Sequence, residues 1–258
     1  MKKEFVALTL FSTLAGLPGV AMAQTAPAPA PAAPAPVVTI PIAPRLPTPI
    51  QSRPMIPLNS YADPGFGQSK YYQQIYEQAQ NYGRCAINVG GERARAVLNT
   101  APNTRTELTE LRQLTGIARP CLPFNYGVPI VFLRGTIAEA LYRRQPVALA
   151  VHAAGTTDQQ LTAFQASEAS RSSARLPDDR AFAAVSNCLV VRAPEQVRDI
   201  LLSRVGSDRE RQGIEHLLAA APGCSTSKRF SAASGTTFVR AYLAESALRW
   251  SEFAQQQS

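Results

Sequence analysis

The sequence predicts an all-α protein: a tandem duplication of a four-helix, disulfide-closed module, preceded by a disordered Ala/Pro-rich arm. Three observations predict it. From Lys70 onward, apolar residues recur at the three- and four-residue spacing of a helical face. Four cysteines form two pairs with the same internal separation, 36 residues. Alternation of the strand kind is confined to Pro129–Leu133 and Val147–Val151, and neither run has a partner strand to pair with.

Residues 1–23 have the make-up of a secretory signal peptide. Lys2 and Lys3 give a positive start, and Phe5–Leu17 is apolar and uncharged. Pro18-Gly19 breaks the helix, and Ala21-Met22-Ala23 is a small-x-small cleavage pattern before Gln24. The apolar run falls short of the roughly 20 residues that span a bilayer. No later stretch is long and apolar enough to do so, so no transmembrane span is expected after cleavage. The expected location is periplasmic or secreted, with cleavage after Ala23; an uncleaved inner-membrane anchor is the alternative.

Residues 24–69 are the arm. Its Ala-Pro start and Pro41, Pro44, Pro47, Pro49, Pro54 and Pro57 fix φ and remove backbone donors, which excludes helix and central strand. An extended chain of up to roughly 3 Å per residue is expected, either an inert tail or a grip on a partner.

The first helical module covers 70–145, with helices near 70–89, 92–100, 105–117 and 131–144. The first of these carries the stripe Tyr72, Ile75, Ala79, Tyr82, Ala86 and Val89. A connector, 146–178, holds one helix near 157–172, opened by Thr156 or Thr157. The second module covers 179–254, with helices near 179–191, 194–203, 208–220 and 236–254. Pro194 stands at a first helical position, where its missing N–H costs no hydrogen bond.

Duplication is read from a register. Sliding the chain by 103 residues puts Cys85 on Cys188 and Cys121 on Cys224. The same shift puts Ala79, Tyr82 and Ala86 on Phe182, Val185 and Leu189, and Val97-Leu98 on Ile200-Leu201. It also superimposes two capping boxes, Thr104–Glu107 and Ser207–Glu210, in which a hydroxyl accepts from the amide three residues on and the glutamate reaches back. Past the second cysteine the shift becomes 106 and reveals a shared string, Arg-x-x-x-Ala-Glu-x-x-x-Arg. Its residues are Arg134, Glu139 and Arg143 in one half and Arg240, Glu245 and Arg249 in the other.

Four cysteines allow three connectivities. A unit that folded before it was copied closes its own bridge, which selects Cys85–Cys121 and Cys188–Cys224. Each bridge would stabilise by roughly 3–4 kcal/mol in the chain-entropy model.

Most chemistry is missing from the sequence. The two histidines, His152 and His216, stand in no metal-ligand spacing, and the cysteines are better explained as bridges, so neither metal nor cofactor is expected. His216 is expected to pack half-exposed on its helix. There is no Gly-x-Ser-x-Gly, and Gly65-Phe66-Gly67 follows no strand. Ser225-Thr226-Ser227-Lys228 fits Ser-x-x-Lys of penicillin-recognising enzymes, but the partner motifs are absent and the string lies in a polar loop.

The positive charge is carried almost wholly by arginines spread along the chain. Loss of Lys2, Lys3 and Glu4 with the leader lowers the formal net charge of +8 by one. Such a balance suits an envelope protein or an anionic polymer as partner, and no nucleic acid is expected. Tyr61, Tyr71, Tyr72, Tyr76 and Tyr82 form either a recognition face or, for the last three, the core and rim of the first helix.

The duplicated string is the candidate motif. It reads in one of two ways. Glu139–Arg143 and Glu245–Arg249 have the favourable i,i+4 order, and Ala138 and Ala244 admit a close neighbour helix. On the first reading each glutamate is held between arginines and locks the fourth helix onto the first or second of its own module, with Arg95 and Arg198 as partners. On the second it is a duplicated polar pocket for an anionic or amide group. The expected function is that of an exported, non-catalytic binding or scaffolding component of the bacterial cell envelope. The alternative is a carboxylate-based, glycan-cleaving envelope hydrolase using Glu139 or Glu245.

Overall fold

The computed structural model describes residues 70–121, 128–145, 157–224 and 235–256. The leader, the Ala/Pro-rich arm, Gly65-Phe66-Gly67, Val147–Val151, His152 and Ser225–Lys228 lie outside them. Nine α-helices make up the described chain: α1 Lys70–Gly90, α2 Glu92–Asn99, α3 Arg105–Ile117, α4 Ile130–Tyr142, α5 Asp158–Arg171, α6 Pro177–Arg192, α7 Pro194–Leu202, α8 Asp208–Ala220 and α9 Thr236–Gln255. Single 3-10 turns at Arg119–Cys121 and Pro222–Cys224 follow α3 and α8. Among the described residues there is no strand, and Pro129–Leu133 opens α4 instead.

Local chemistry explains where the helices begin. The Thr104 and Ser207 hydroxyls accept from the Glu107 and Glu210 amides, each at 3.2 Å. The return bond differs from a plain capping box. The Glu107 and Glu210 carboxylates accept from Asn103 and Gly206, one residue before the cap, at 2.6 Å. Asn103 and Gly206 hold φ of 62° and 70°, the left-handed region that asparagine and glycine tolerate best. A complete box opens α5, where Thr157 and Gln160 exchange both bonds. Pro177 and Pro194 sit in the first turns of α6 and α7.

The helices pack in a row, α1 on α4, α4 on α9 and α9 on α6, with the short pairs α2–α3 and α7–α8 beside them. Burial follows that order. α1 buries one face, as an amphipathic helix must, although Val89 ends up exposed rather than on the stripe. α4 and α9 are buried nearly all round, from Val131 to Tyr142 and from Thr237 to Leu248. Leu114, Leu217 and Leu243 are fully enclosed, and each contributes about 1.5–3 kcal/mol of transfer free energy.

Two bare backbones allow these contacts. A Cβ on Gly83 would lie 2.7 Å from the Thr136 carbonyl oxygen, and one on Gly135 would lie 2.7 Å from Ala241 Cα. α4 and α9 thus approach closely at Gly135 and Ala241, a turn before Ala138 and Ala244.

The disulfides are Cys85–Cys121 and Cys188–Cys224, with Cα–Cα distances of 5.7 and 5.4 Å. Each ties the far end of a long helix to the 3-10 turn after a third helix. Both sets of four helices belong to one compact unit.

Candidate functional site

The α4–α9 contact is reciprocal. Position 132 faces position 238, where the Phe rings stand 4.6 Å apart between centroids, and Gly135 faces Ala241. Each of these residues meets the one 106 positions away, as on a two-fold related surface. That reciprocity decides where the motif's charges go.

Arg134 crosses to the other half. Its Nη2 donates to Glu245 Oε1 at 2.7 Å, while Nη1 donates to Glu107 Oε1 at 3.0 Å and to the Val97 carbonyl at 2.8 Å. Arg240 returns the exchange. Its Nη2 and Nε donate to the two oxygens of Glu139 at 2.8 and 3.0 Å, and Nη1 donates to Glu210 at 2.8 Å and to the Ile200 carbonyl at 2.9 Å. Both arginines are sealed, 1% and 0% exposed.

Each guanidinium thus performs three tasks. It satisfies the last carbonyls of a short second helix, where the helix dipole favours a cation. It binds the N-terminal glutamate of the third helix. It also grips the glutamate of the opposite half.

The expected partners Arg95 and Arg198 play no part in this. Arg95 pairs with Glu252, and Arg198 with Glu195 and Asp199. Both are partly exposed, and what the second helices give the buried arginines is their C-terminal carbonyls.

The two glutamates have different company. Glu139 also accepts from Arg143 at 2.7 Å, Gln80 at 2.9 Å and the Tyr76 hydroxyl at 3.2 Å. Glu245 instead accepts from Arg171 of α5 at 3.1 Å and Arg175 at 3.0 Å. Arg249 does not close the expected i,i+4 pair with Glu245. Arg171 takes that seat, and Arg249 turns to Glu168 and Glu252.

Charge states follow from these contacts. Burial pushes the Glu245 carboxyl up, but Arg134, Arg175 and Arg171 together hold it well below the usual carboxylate range. Burial likewise opposes ionisation of Glu139, and Arg240 and Arg143 more than offset it, so its value is lowered. For Glu107 and Glu210 burial prevails over the single arginine and backbone amide, and both are raised. The Tyr76 phenol, buried beside Glu139, is raised well above the ordinary tyrosine value.

Glu107, Glu210, Arg171 and Arg175 were not foreseen as members of the site. A signal existed for the two glutamates, since a third-position glutamate bonds its cap region with one oxygen and leaves the other available. The tyrosines divide: Tyr72, Tyr76 and Tyr82 are buried, Tyr71 is exposed, and Tyr61 lies outside the described residues. His216 is exposed rather than half-buried. Among the described residues no group of three His, Cys, Asp or Glu side chains is placed to hold a metal. No described helix is long and apolar enough to cross a membrane.

Next to the Arg134 side of the network lies a cavity of about 200 Å³, lined by the first turns of α3, α4 and α6 together with Arg134 and Arg175. Comparison with family models, curated proteins and solved structures finds no match to this chain.

Proposed function

We propose that this chain is an exported, non-catalytic binding or scaffolding component of the bacterial cell envelope, built by tandem duplication of one four-helix module. The observation that carries the reading is the saturation of Glu139 and Glu245, 2% and 4% exposed, by arginines from both halves. Carboxylates so held are structural counter-ions. A glycan-cleaving enzyme needs an accessible acid and base on either side of a bound sugar, so the competing hydrolase reading loses the residues it relied on.

Export is supported by the N-terminal pattern Lys2 to Ala23 and by two disulfides with no free cysteine among the described residues, as an oxidising compartment favours. Duplication is supported by the shared offsets of the disulfides, the caps and the crossed arginines.

The test is in-cell crosslinking and pull-down from the native envelope, using full-length chain and a variant lacking residues 25–58. A specific envelope partner that is retained by the full chain and lost with the arm supports the reading. No specific partner for either form overturns it, as does glycan hydrolysis by the purified protein that Glu139→Gln or Glu245→Gln abolishes. N-terminal sequencing of the exported protein is expected to begin at Gln24.

A further inference from the structure

We propose that the groove between α5 and α6 is a binding site for a neutral sugar residue, hydrogen-bonded at its back wall by Asn187 and Ser172. This goes beyond the envelope reading and is tested on the purified protein alone.

Residue spacing on two helices builds the groove. Gln165, Glu168, Ala169 and Ser172 recur at three- and four-residue intervals along one face of α5 and its C-terminal cap. Arg180, Ala184 and Asn187 do the same on α6. The two faces line a cavity of about 390 Å³, with Ala169 and Ala184 exposed on its walls. α9 backs it, where the Ser246 hydroxyl donates to Asn187 Oδ1 at 2.7 Å and Arg249 pairs with Glu168.

Two side chains of this lining are more than nine-tenths buried and still have hydrogen-bonding capacity to give. Asn187 is 6% exposed; Ser246 occupies its carbonyl oxygen, and its Nδ2 has no partner among the described residues. Ser172 is also 6% exposed; its backbone groups are used in the turn that ends α5, while its hydroxyl has no partner among the described residues. Neither atom is sealed in protein, and both side chains line the cavity. Gln165, half-buried, and Arg180, exposed, likewise make no side-chain hydrogen bond or ion pair with a described residue.

These groups select the ligand's chemistry. Asn187 Nδ2 and Arg180 call for acceptors, while Gln165 and Ser172 each offer a donor and an acceptor. A hydroxyl meets both needs at one atom. Glu168 disfavours an anion, because this carboxylate stands in the same wall, its oxygens already accepting from Arg171 and Arg249. The apolar lining is confined to the methyls of Ala169 and Ala184, too little for a lipid chain or for the side chains of a peptide, but enough for the small C–H patches of a sugar ring. Size agrees. An engineered cavity of about 150 Å³ admits benzene, and a hexose has about twice as many non-hydrogen atoms, which about 390 Å³ accommodates. Its hydroxyls reproduce the hydrogen bonds that water makes in a polar cavity. With one saturated carboxylate and no second acid in the lining, the site binds a sugar without cleaving it.

Glucose, galactose, mannose and N-acetylglucosamine are the probes, each titrated into isotope-labelled protein and followed by NMR. At least one should bind saturably, with a Kd of about 1–10 mM as a few hydrogen bonds with little apolar burial allow. It should shift the Asn187 side-chain amide and the Ala169 and Ala184 methyls. Asn187→Ala should weaken that binding about tenfold, for loss of one hydrogen bond. Ala184→Leu, at an exposed position where the larger side chain fills the groove, should abolish it. If Asn187→Ala does not fold, Ala184→Leu decides. Acetyl-dialanine amide and benzoate, standing for a peptide segment and an anion, should bind at least about tenfold more weakly. The proposal is overturned if no sugar gives saturable shifts up to about 50 mM, or if the shifts lie elsewhere. Undiminished binding to either folded variant, or peptide or benzoate binding at the same signals as tightly as a sugar, overturns it equally.

Discussion

Glu245→Gln removes the one negative charge that Arg134, Arg171 and Arg175 share while keeping the side chain's size. Breaking a buried ion pair costs about 3–5 kcal/mol, because the partner is left charged without compensation. Here each arginine keeps a second carboxylate: Glu107 for Arg134, Glu168 for Arg171 and Asp179 for Arg175. The loss should therefore fall at the lower end, about 3 kcal/mol. For a chain of this size that is a fall of about 6–12 °C in Tm. Glu139→Gln should cost less, since Arg143 is one-third exposed and can turn to water. Urea titration followed by Trp250 fluorescence measures both, because this sole tryptophan is buried against Phe164 and Phe253. A double-mutant cycle of Arg134→Met with Glu245→Gln should give a coupling of about 1–3 kcal/mol, whereas Arg134→Met with Glu210→Gln should be additive within about 0.5 kcal/mol. A loss below about 1 kcal/mol for Glu245→Gln, in the range of ordinary surface changes, or a larger loss for Glu139→Gln, would refute the reasoning.

Replacing Cys85 and Cys121 together by Ser frees a 36-residue separation and should lower stability by about 2–4 kcal/mol, read from the urea midpoint; an unmoved midpoint contradicts it. Gly135→Ala drives a methyl into the Ala241 backbone and should cost about 1–3 kcal/mol. Gly116→Ala, on an exposed turn with nothing within 4 Å, should instead stabilise by about 0.5–1 kcal/mol, so equal effects would argue against the close α4–α9 approach. The pH response has two limbs of opposite sign. Glu139 and Glu245 titrate below the ordinary value of 4.5 in the folded chain, so their contribution is present above 4.5 and is lost as pH falls through their folded values. Glu107 and Glu210 titrate above 4.5 when folded, so theirs is full below 4.5 and is lost as pH rises through the raised values. The urea midpoint should thus peak on the mildly acidic side and collapse below about pH 4.5, with the collapse flattened in Glu245→Gln. A collapse unchanged in that variant would assign it to other groups.

Features governed by short-range chemistry were legible in the sequence. Thr104 and Ser207 open helices because each hydroxyl accepts from the amide of the glutamate three residues on, a local bond that needs no distant partner. The cysteine pairing followed from equal spacing. The i,i+4 pair Glu139–Arg143 formed as its spacing implies. The same spacing misled at Glu245–Arg249, because Arg171 arrives from a helix with no counterpart in the other half. The crossed pairing of Arg134 with Glu245 was not legible at all. A shared register aligns positions in sequence but does not say whether a side chain meets its own half of the chain or the other, and here the close contact of Gly135 with Ala241 brings the two together. Arg175 was hidden for a similar reason: it lies in the connector, outside both four-helix segments, and joins the network because α6 starts beside α3.

The crossed arginines also set how this sequence can change over time. A disulfide can be lost from one half and leave the other bridge intact, since each closes within its own four helices. Positions 134 and 245 have no such freedom, and neither do 240 and 139, because each holds the counter-charge of a residue more than a hundred positions away. Divergence at the network must therefore be paired across the chain: a tolerated substitution in α4 should be accompanied by one in α9, not by one among its neighbours in sequence.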